Sequence, residues 1–566
     1  MHALKPFRGL GAVLVLLAAA VSAWMLDQGL GGADEGWLLS SADRVAAGQV
    51  YYRDLDAYPF PGASYLLAAA FRVFGVHLLV SRVLEALLFC AMVACLYGMA
   101  ARVVAPARAA LYGLCLLGMK VVAWPTFSVY SHYDVAFAGA CGALWLLLRH
   151  PFAGPSRPLF GAGVCTGAAL VSKQNVGIYL YACAVFMVLA SRPLLAAPAA
   201  SVRRRIAESA CLTAGVAAVA LPFALYFAIE GVFRPMLASA FLRPIAEYLP
   251  TSGVSYGLPL RWWELGDMQP LVAFIYFPLT YWLMVFREQL PSVTDYGRLW
   301  LAGEVFARTL YTALPVVLVG SVGLAAHAVI RGSAAHERAF VILTLGSLAV
   351  VASAFPRADF THVISVYPLV LLLLFACWER AVAARLPSAI WLEGALVAAG
   401  VAGCGWLALA RSAQLSETIE LERARFRAYP HDAYIRSAVR YIEEELAPGE
   451  RLFVYGSDAS YYFLTGRHYD WPFPQLYPGH VGGDGGRALV ELLRREPPAM
   501  VIQAGQRVPG LPPLASYAPE LDAYVREGFR ADPAVFRRYP PPPGHVPLRG
   551  YFVLLRPVPP ESAAGG

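Results

Sequence analysis

Residues 33–62 read ADEGWLLSSADRVAAGQVYYRDLDAYPFPG, and they follow directly on a strongly apolar run, residues 9–25. The apolar run predicts a membrane span, because about 17–25 apolar residues cross roughly 30 Å of hydrocarbon. The quoted stretch differs sharply in composition, since it holds five carboxylates, three tyrosines and two prolines. A loop of this kind immediately outside the membrane indicates a site at the membrane surface, because aromatic side chains favour the interface.

The whole chain has the composition of a polytopic membrane protein. Of its 566 residues, 58% are hydrophobic and 15% are charged, and the mean hydropathy is +0.54. Soluble domains contain about 45–50% apolar and about 25% charged residues. The net charge of +7 mainly reports membrane topology, because Lys and Arg stay on the cytoplasmic side, so we predict no nucleic-acid partner. All nine cysteines fall in apolar segments, which argues against a disulfide framework.

Apolar runs predict about 11 transmembrane helices. The predicted spans are residues 9–28, 76–104, 107–124, 133–149, 159–172, 175–191, 209–230, 308–330, 338–355, 363–378 and 388–410. Five arginine-bearing loops then share one side with the N-terminus, and the positive-inside rule makes that side cytoplasmic. The opposite side receives a first outer loop (29–75), a second outer loop (231–307) and everything after residue 410.

Two segments allow another interpretation. Residues 270–286 are apolar enough to span, but counting them would place the later arginine-rich loops outside, so we interpret them as interfacial or re-entrant. The sequence AAAVSA at residues 18–23 resembles a signal-peptide cleavage site. The length of the apolar run favours a retained first span, and cleavage would leave the remaining topology unchanged.

The composition shifts at about residue 411. Ile435, Val439 and Ile442 share one face of a predicted amphipathic helix, which a short strand follows. A second helix and strand come later in the chain. We therefore predict a transmembrane domain over residues 1–410 and a small extracytoplasmic α/β domain over 411–566. The predicted location is the inner or plasma membrane, in multi-pass form.

Polar residues of the membrane domain gather at one level, near its outer face. Charges within spans are costly, so each asks for a functional reason. The candidates at this level are Asp34, Glu35, Lys120, Asp134, Lys173, Asn175, Arg357, Asp359 and His362, with Arg82, Glu85 and His132 nearby. Cations at head-group depth suit a lipid phosphate, and a carboxylate within reach of a hydroxyl can act as a base.

Simpler explanations exist for these residues. A single charge at the end of a span can snorkel to water, and acids in a first helical turn can act as caps. Lys173 is harder to explain in this way. It is one of only three lysines, and it stands beside Gln174 and the only asparagine, Asn175, between two short apolar runs.

Four motifs resemble known sequences. Residues 51–75, YYRDLDAYPFPGASYLLAAAFRVFG, with the preceding Asp34–Glu35, resemble the first outer loop of the GT-C glycosyltransferases. The nearest relatives are identified as dolichyl-phosphate-mannose protein mannosyltransferases and bacterial lipid A aminoarabinose transferases. Residues 167–181 (GAALVSKQNVGIYLY) and 357–373 (RADFTHVISVYPLVLLL) resemble later family motifs. Residues 451–467 (RLFVYGSDASYYFLTGR) resemble the outer domain of bacterial members.

The resemblance implies a polyprenyl-phosphate-linked sugar donor and transfer outside the cytoplasm. It assigns the base to Asp34, with Glu35 beside it, and a phosphate contact to Lys173. The family's KPP motif is YPFP here, from Tyr58, so its lysine is missing. We expect Lys120 to supply that charge and Tyr58 to stack on a sugar. The loop is expected to form two interfacial helices, about 35–47 and 61–74.

These observations predict a membrane glycosyltransferase with a GT-C-like fold. Its expected partners are the polyprenyl-phosphate sugar donor, membrane lipid and an unknown extracytoplasmic acceptor, which can be a lipid, a glycan or a protein. No cofactor is required, although a divalent cation at the Asp34–Glu35 pair is possible. The main alternative is a transporter or lipid-carrier flippase, which would hold its polar residues near the bilayer midplane and often show inverted repeats. A non-catalytic assembly protein is a second alternative.

Overall fold

The computed structural model describes residues 5–197, 201–266, 276, 296–355, 357–383, 385–386, 388–481, 484–504, 513–532, 534–539 and 552–557. The helices up to residue 414 are α1 (Lys5–Met25), α2 (Ala33–Ala46), α3 (Gly62–Phe74), α4 (Leu78–Val103), α5 (Pro106–Val122), α6 (His132–Leu147), α7 (Arg157–Ser172), α8 (Gln174–Leu189), α9 (Ser191–Leu195), α10 (Val202–Ile229), α11 (Tyr296–Ile330), α12 (Arg338–Ala352), α13 (Phe360–Trp378) and α14 (Ala389–Gln414). Short helical turns fill residues 233–264.

The helices have the character of a multi-pass membrane protein. Within the described ranges, five are long and apolar enough to cross a membrane: Leu78–Val103, Val202–Ile229, Gly303–Ile330, Phe360–Ala383 and Ala389–Gln414. Shorter apolar helices accompany them at Gly9–Met25, Gly62–Phe74, Gln174–Leu189 and Arg338–Ala352. The number of 11 spans stays a prediction, and the segment 270–286 falls outside the described residues.

Glycine lets α7 approach α10 and α8 closely. A Cβ on Gly163 would lie 2.1 Å from the Leu212 carbonyl oxygen on α10, and one on Gly177 would lie 2.3 Å from the Leu170 Cα. Small residues at such positions bring helix backbones together, which is how membrane helices pack without a hydrophobic driving force. The tight α7–α8 pair fixes the residue between them, Lys173.

The first outer loop forms the two helices that its sequence predicts. The observed α2 and α3 agree with the predicted helices within two residues at each end. At the start of α3, Gly62 packs onto the end of α7, because a Cβ there would lie 2.5 Å from the Val171 carbonyl oxygen. Their placement at the membrane interface stays a prediction.

The C-terminal region combines strands and helices. Its strands are β1 (Glu417–Glu420), β2 (Arg425–Ala428), β3 (Leu452–Tyr455), β4 (Met500–Ala504), β5 (Phe529–Ala531) and β6 (Phe552–Pro557). Its longer helices are α15 (Ala433–Glu445), α16 (Ser460–Thr465), α17 (Arg487–Arg495) and α18 (Pro519–Gly528). β1 and β2 form an antiparallel pair, and the second sheet has the order β3-β4-β6-β5, with only its β3–β4 pair parallel. Its status as a separate outer domain stays a prediction.

This region lies directly on α2. Gly36 touches the start of α16, since a Cβ on it would lie 2.3 Å from the Ser460 backbone nitrogen. Asp43 accepts hydrogen bonds from Arg423 at 2.6 Å and from His468 Nε2 at 2.9 Å. The buried Arg44 donates to the Trp471 carbonyl oxygen at 2.8 Å. The helix that carries Asp34 is therefore held in place by residues from the last third of the chain.

Candidate active site

Two adjacent acids at the start of α2 have different environments. Asp34 is exposed, whereas Glu35 is only 2% exposed. Consecutive residues on a helix face different directions, so only one of two neighbours can face a given cleft. The side chain of Asp34 is therefore accessible, and the side chain of Glu35 is buried in the interior.

Glu35 forms a buried ion pair with Arg82 of α4. The Glu35 Oε1 lies 2.7 Å from Arg82 Nε, and Oε2 accepts from Arg82 Nη2 at 2.8 Å and from the Gly31 backbone at 2.6 Å. Arg82 also donates to the Gly29 carbonyl oxygen at 2.9 Å. This pair ties α2 to α4 and engages both oxygens of Glu35, while the grouping of Glu35 with the base stays a prediction.

Asp359 organises a second group of charges at the start of α13. Its Oδ1 accepts from the His362 backbone at 3.0 Å and lies 2.6 Å from His362 Nδ1, and Oδ2 accepts from Arg357 Nε. Burial raises the pKa of Asp359, but the charges and hydrogen bonds of His362 and Arg357 outweigh that effect and hold the pKa below its ordinary 3.8. Asp359 therefore stays a carboxylate that orients the side chains of Arg357 and His362.

Asp34 lies within the electrostatic reach of this group. Its carboxyl is accessible yet lies deep among protein atoms, and this burial raises its pKa above 3.8. The positive charge of Arg357 and a charged His362 lower that pKa, while Asp359 raises it, so burial prevails. An accessible carboxyl with a raised pKa is a stronger proton acceptor than an ordinary aspartate.

Lys173 brings a further cation to the same region. It lies between α7 and α8 and is 9% exposed, with Nζ 3.6 Å from the centroid of the Tyr133 ring. Within the described part of the chain, its ammonium has no hydrogen bond and no carboxylate within salt-bridge distance. The Tyr133 ring also contacts His362, at 5.2 Å between ring centroids. Tyr133 thus links Lys173 to the Asp359 group.

Three other predicted residues have structural partners. Lys120 Nζ is fully buried and contacts both oxygens of Glu85, at 2.9 and 3.0 Å. Asn175 donates to the Ser353 carbonyl oxygen at 2.8 Å and so joins α8 to the end of α12. Asp134 forms a capping box with Ser131 at the start of α6. These contacts are of the packing and capping kind, and the predicted substrate contacts of the three residues stay predictions.

Tyr58 belongs to a neighbouring cluster. Its hydroxyl donates to Glu247 at 3.0 Å, and the Arg243 guanidinium lies 5.5 Å from its ring centroid. Gln174 connects this cluster to Lys173, because its amide donates to the Tyr58 carbonyl oxygen at 2.9 Å and accepts from the Phe60 backbone at 3.0 Å. Tyr58 is therefore linked to the neighbour of Lys173, but its hydroxyl is bonded to Glu247 in the neighbouring cluster.

The structure adds Trp37 and Tyr133, which the sequence analysis did not single out, and brings them together with His132, which it grouped with the polar residues near the outer face. The Trp37 and His132 ring centroids are 5.9 Å apart, and those of His132 and Tyr133 are 4.8 Å apart. The sequence offered one signal, because Trp37 follows Asp34 by three residues and so shares its side of a helix. Contact between α2 and α6 could not be read from spacing.

Within the described ranges, no group of three or more His, Cys, Asp or Glu side chains is arranged to hold a metal ion. The possible divalent cation at Asp34 and Glu35 stays untested.

Comparison with known proteins identifies a related family. Residues 58–213 match the family model described as dolichyl-phosphate-mannose-protein mannosyltransferase, a segment that includes Lys173. No curated protein matches the chain.

Solved structures resemble the chain at low identity. The crystal structure of ArnT from Cupriavidus metallidurans bound to undecaprenyl phosphate has 16% identity and a TM-score of 0.46, covering 97% of this chain and 98% of that chain. AglB from Archaeoglobus fulgidus, in complex with an inhibitory peptide and a dolichol-phosphate, has 12% identity and a TM-score of 0.43, covering 87% and 69%. Both TM-scores are below 0.5. Over residues 58–213, the chain is therefore similar to the dolichyl-phosphate-mannose-protein mannosyltransferases.

Proposed function

We propose that this protein transfers a sugar from a polyprenyl-phosphate-linked donor to an acceptor hydroxyl on the extracytoplasmic side of the membrane. One observation carries the proposal. An accessible aspartate, Asp34, and a lysine with no carboxylate partner in the described chain, Lys173, both lie within the electrostatic reach of Asp359. A base and a phosphate-binding cation are the two charged groups that such a transfer needs.

The family match supports a lipid phosphate as the donor. The model that matches residues 58–213 is described by its dolichyl phosphate donor, and this segment contains Lys173. A lysine ammonium is a compact charge with three donors and no acceptor, so it suits phosphate oxygens. His362 and Arg357, both oriented by Asp359, add donors beside it.

The reaction is a single displacement with inversion at the anomeric carbon. Asp34 takes the proton from the acceptor hydroxyl as that oxygen attacks C1 of the sugar. The bond between the acceptor oxygen and C1 forms while the bond from C1 to the phosphate oxygen breaks. The phosphate leaves with the electron pair, and polyprenyl phosphate is the second product. Lys173, with Arg357 or His362, stabilises the charge that develops on the leaving phosphate.

The side of the membrane follows from the charge distribution of the loops. The sequence predicts that the arginine-bearing loops lie on the side opposite the first outer loop, and positive loops are cytoplasmic. We place α2, the Asp359 group and the C-terminal region outside the cytoplasm, with the protein in the inner or plasma membrane. We also propose that transfer requires no cofactor. Full activity after treatment with EDTA would support this, and loss of activity that Mg²⁺ restores would oppose it.

Reconstitution tests the proposed reaction directly. Purified protein in liposomes would receive polyprenyl-phosphate-linked sugars and extracts of cell-envelope lipids and glycans, with products identified by mass spectrometry. We expect sugar-bearing acceptor and free polyprenyl phosphate in equal amounts, and neither product with Asp34→Asn. Movement of the lipid across the bilayer without any transfer would instead support the flippase alternative. Comparison of envelope glycans from cells with and without the gene would then identify the acceptor.

A further inference from the structure

The aromatic contact between α2 and α6 lies beside both charged ends of the candidate site. Trp37 is three residues after Asp34, so the two side chains lie on neighbouring parts of the α2 surface. Its indole meets the His132 ring edge to face, with centroids 5.9 Å apart and an interplanar angle of 75°. His132 in turn contacts Tyr133, the residue whose ring lies under Lys173. A series of contacts therefore runs from Trp37, which shares a side of α2 with Asp34, through His132 and Tyr133 to Lys173.

The nitrogen atoms of the Trp37–His132 pair are available to a ligand. Both side chains are half-buried, and within the described ranges neither the indole N–H nor the imidazole nitrogens has a hydrogen bond. Their polar neighbours differ in this respect, since the Asp134 carboxylate is used in a cap and His362 Nδ1 is held by Asp359. Half-buried polar groups gain free energy when a ligand or water satisfies them.

The proposed reaction dictates what occupies the space between its two ends. The acceptor oxygen approaches Asp34, and the leaving phosphate contacts Lys173. The anomeric carbon is bonded to the phosphate and attacked by the acceptor, so the sugar ring must lie between these two residues. Side chains that bridge Asp34 and Lys173 are therefore placed beside the sugar.

The chemistry of the two side chains fits a neutral sugar. An indole offers a large apolar surface and one N–H donor, which suit the C–H face and a hydroxyl of a sugar. An imidazole carries one donor and one acceptor nitrogen when neutral, and a sugar hydroxyl is likewise both donor and acceptor. We infer that Trp37 and His132 contact the transferred sugar and determine which sugar the enzyme accepts. This inference rests on the proposed function.

Donor analogues that lack single hydroxyls test the inference. The probes are undecaprenyl phosphate, its mannose, glucose and arabinose conjugates, and deoxy analogues of the conjugate that binds best, each titrated into protein in lipid nanodiscs. For the parent, one deoxy analogue should bind about 3–10-fold more weakly, which is the value of a single hydrogen bond. His132→Leu should bind that analogue and the full donor equally well, and should bind free undecaprenyl phosphate within about twofold of the parent.

Matched variants separate sugar contact from packing. Trp37→Phe keeps an aromatic ring and removes the N–H. His132→Gln keeps a donor and an acceptor, so it should retain part of the discrimination between donors that His132→Leu loses. His336→Leu and Trp391→Phe replace exposed side chains elsewhere and should leave every affinity unchanged.

The outcomes distinguish this inference from the proposed function. If the parent binds neither the conjugates nor undecaprenyl phosphate, the proposed function fails. If the parent binds them but His132→Leu keeps the same discrimination between hydroxyls, or weakens undecaprenyl phosphate and the conjugates alike, the sugar contact is wrong. Equal melting temperatures of parent and variants would show that the comparison concerns folded protein.

Discussion

The ammonium nitrogen of Lys173 lies 3.6 Å from the centroid of the Tyr133 ring. A cation over an aromatic face gains electrostatic stabilisation without donating its N–H groups to a carboxylate. Lys120, the other lysine between membrane helices, instead contacts both oxygens of Glu85. The two lysines are therefore suited to different tasks, since only Lys173 keeps its donors for an incoming anion.

Replacement of Lys173 should weaken binding of the donor. A charge-assisted hydrogen bond contributes about 1.5–3 kcal/mol, so Lys173→Ala should lower the affinity for a non-hydrolysable donor analogue by roughly 10–150-fold. Lys173→Arg should recover only part of this, because the larger guanidinium cannot occupy the same position over the Tyr133 ring. Titration in nanodiscs measures the effect, with Arg331→Ala on an exposed loop as the control. Unchanged affinity in Lys173→Ala would remove the lysine from the site.

Replacement of Asp34 should affect turnover and spare donor binding. Asp34→Asn keeps the shape and removes the basicity, so the turnover number should fall about 100-fold or more. Asp54→Asn is a matched control on the same loop, because Asp54 already accepts from Arg53 and from the Val50 backbone. A rate within about threefold of the parent would exclude Asp34 as the base.

The pH dependence of kcat/KM should report the environment of Asp34. A base must be deprotonated to act, and burial raises the pKa of Asp34 above 3.8, so the acid limb should lie at higher pH than for an ordinary aspartate. Arg357 lowers this pKa. Arg357→Gln should therefore move the acid limb to still higher pH, measured with saturating acceptor across the acid range. An acid limb that moves to lower pH, or stays in place, would contradict the effect of Arg357 on the pKa of Asp34.

The buried Glu35–Arg82 pair should matter for stability. Glu35→Leu leaves the Arg82 guanidinium buried with one carboxylate fewer, and breaking a buried pair in this way costs about 3–5 kcal/mol. The double variant Glu35→Leu with Arg82→Met removes both charges and should recover much of the loss. Thermal unfolding in detergent measures both variants against the parent. Equal stability of Glu35→Leu and the parent would show that the pair contributes little.

Membrane topology can be mapped with reporter fusions. The arginine-bearing loops predict a cytoplasmic N-terminus and an outer C-terminal region. A reporter active only outside the cytoplasm should work when fused at residue 450 and fail when fused at Ser201, just before α10. The reverse pattern would overturn the assignment of sides and with it the proposed location of transfer.

The sequence predicted the helices of the first outer loop because local signals define their ends. Pro59 and Pro61 interrupt the chain before α3, and Gly48 follows the end of α2 with a φ of 100°. The gathering of charges near the outer face was also predictable, because an ionisable group within hydrocarbon is too costly to be placed without a purpose.

The sequence could not decide which of these charges remain free. Glu35 and Arg82 are 47 residues apart, and their pairing depends on how α2 packs against α4. The same holds for Lys120 and Glu85, 35 residues apart. The number of available acids and lysines in the site therefore depends on long-range packing, which periodicity and spacing do not encode.

The contact between Gly36 and Ser460 also has a consequence for protein synthesis. The hydroxyl of Ser460 donates to the carbonyl oxygen of Gly32, a residue that precedes it by 428 positions. At about 5–20 residues per second, the ribosome needs roughly 20–90 s to make the chain between them. During that interval α2 has already been made, but the surface that holds it is absent. The start of α2, with Asp34, therefore gains this contact only after Ser460 has been made, so a nascent chain that ends before Ser460 would lack it.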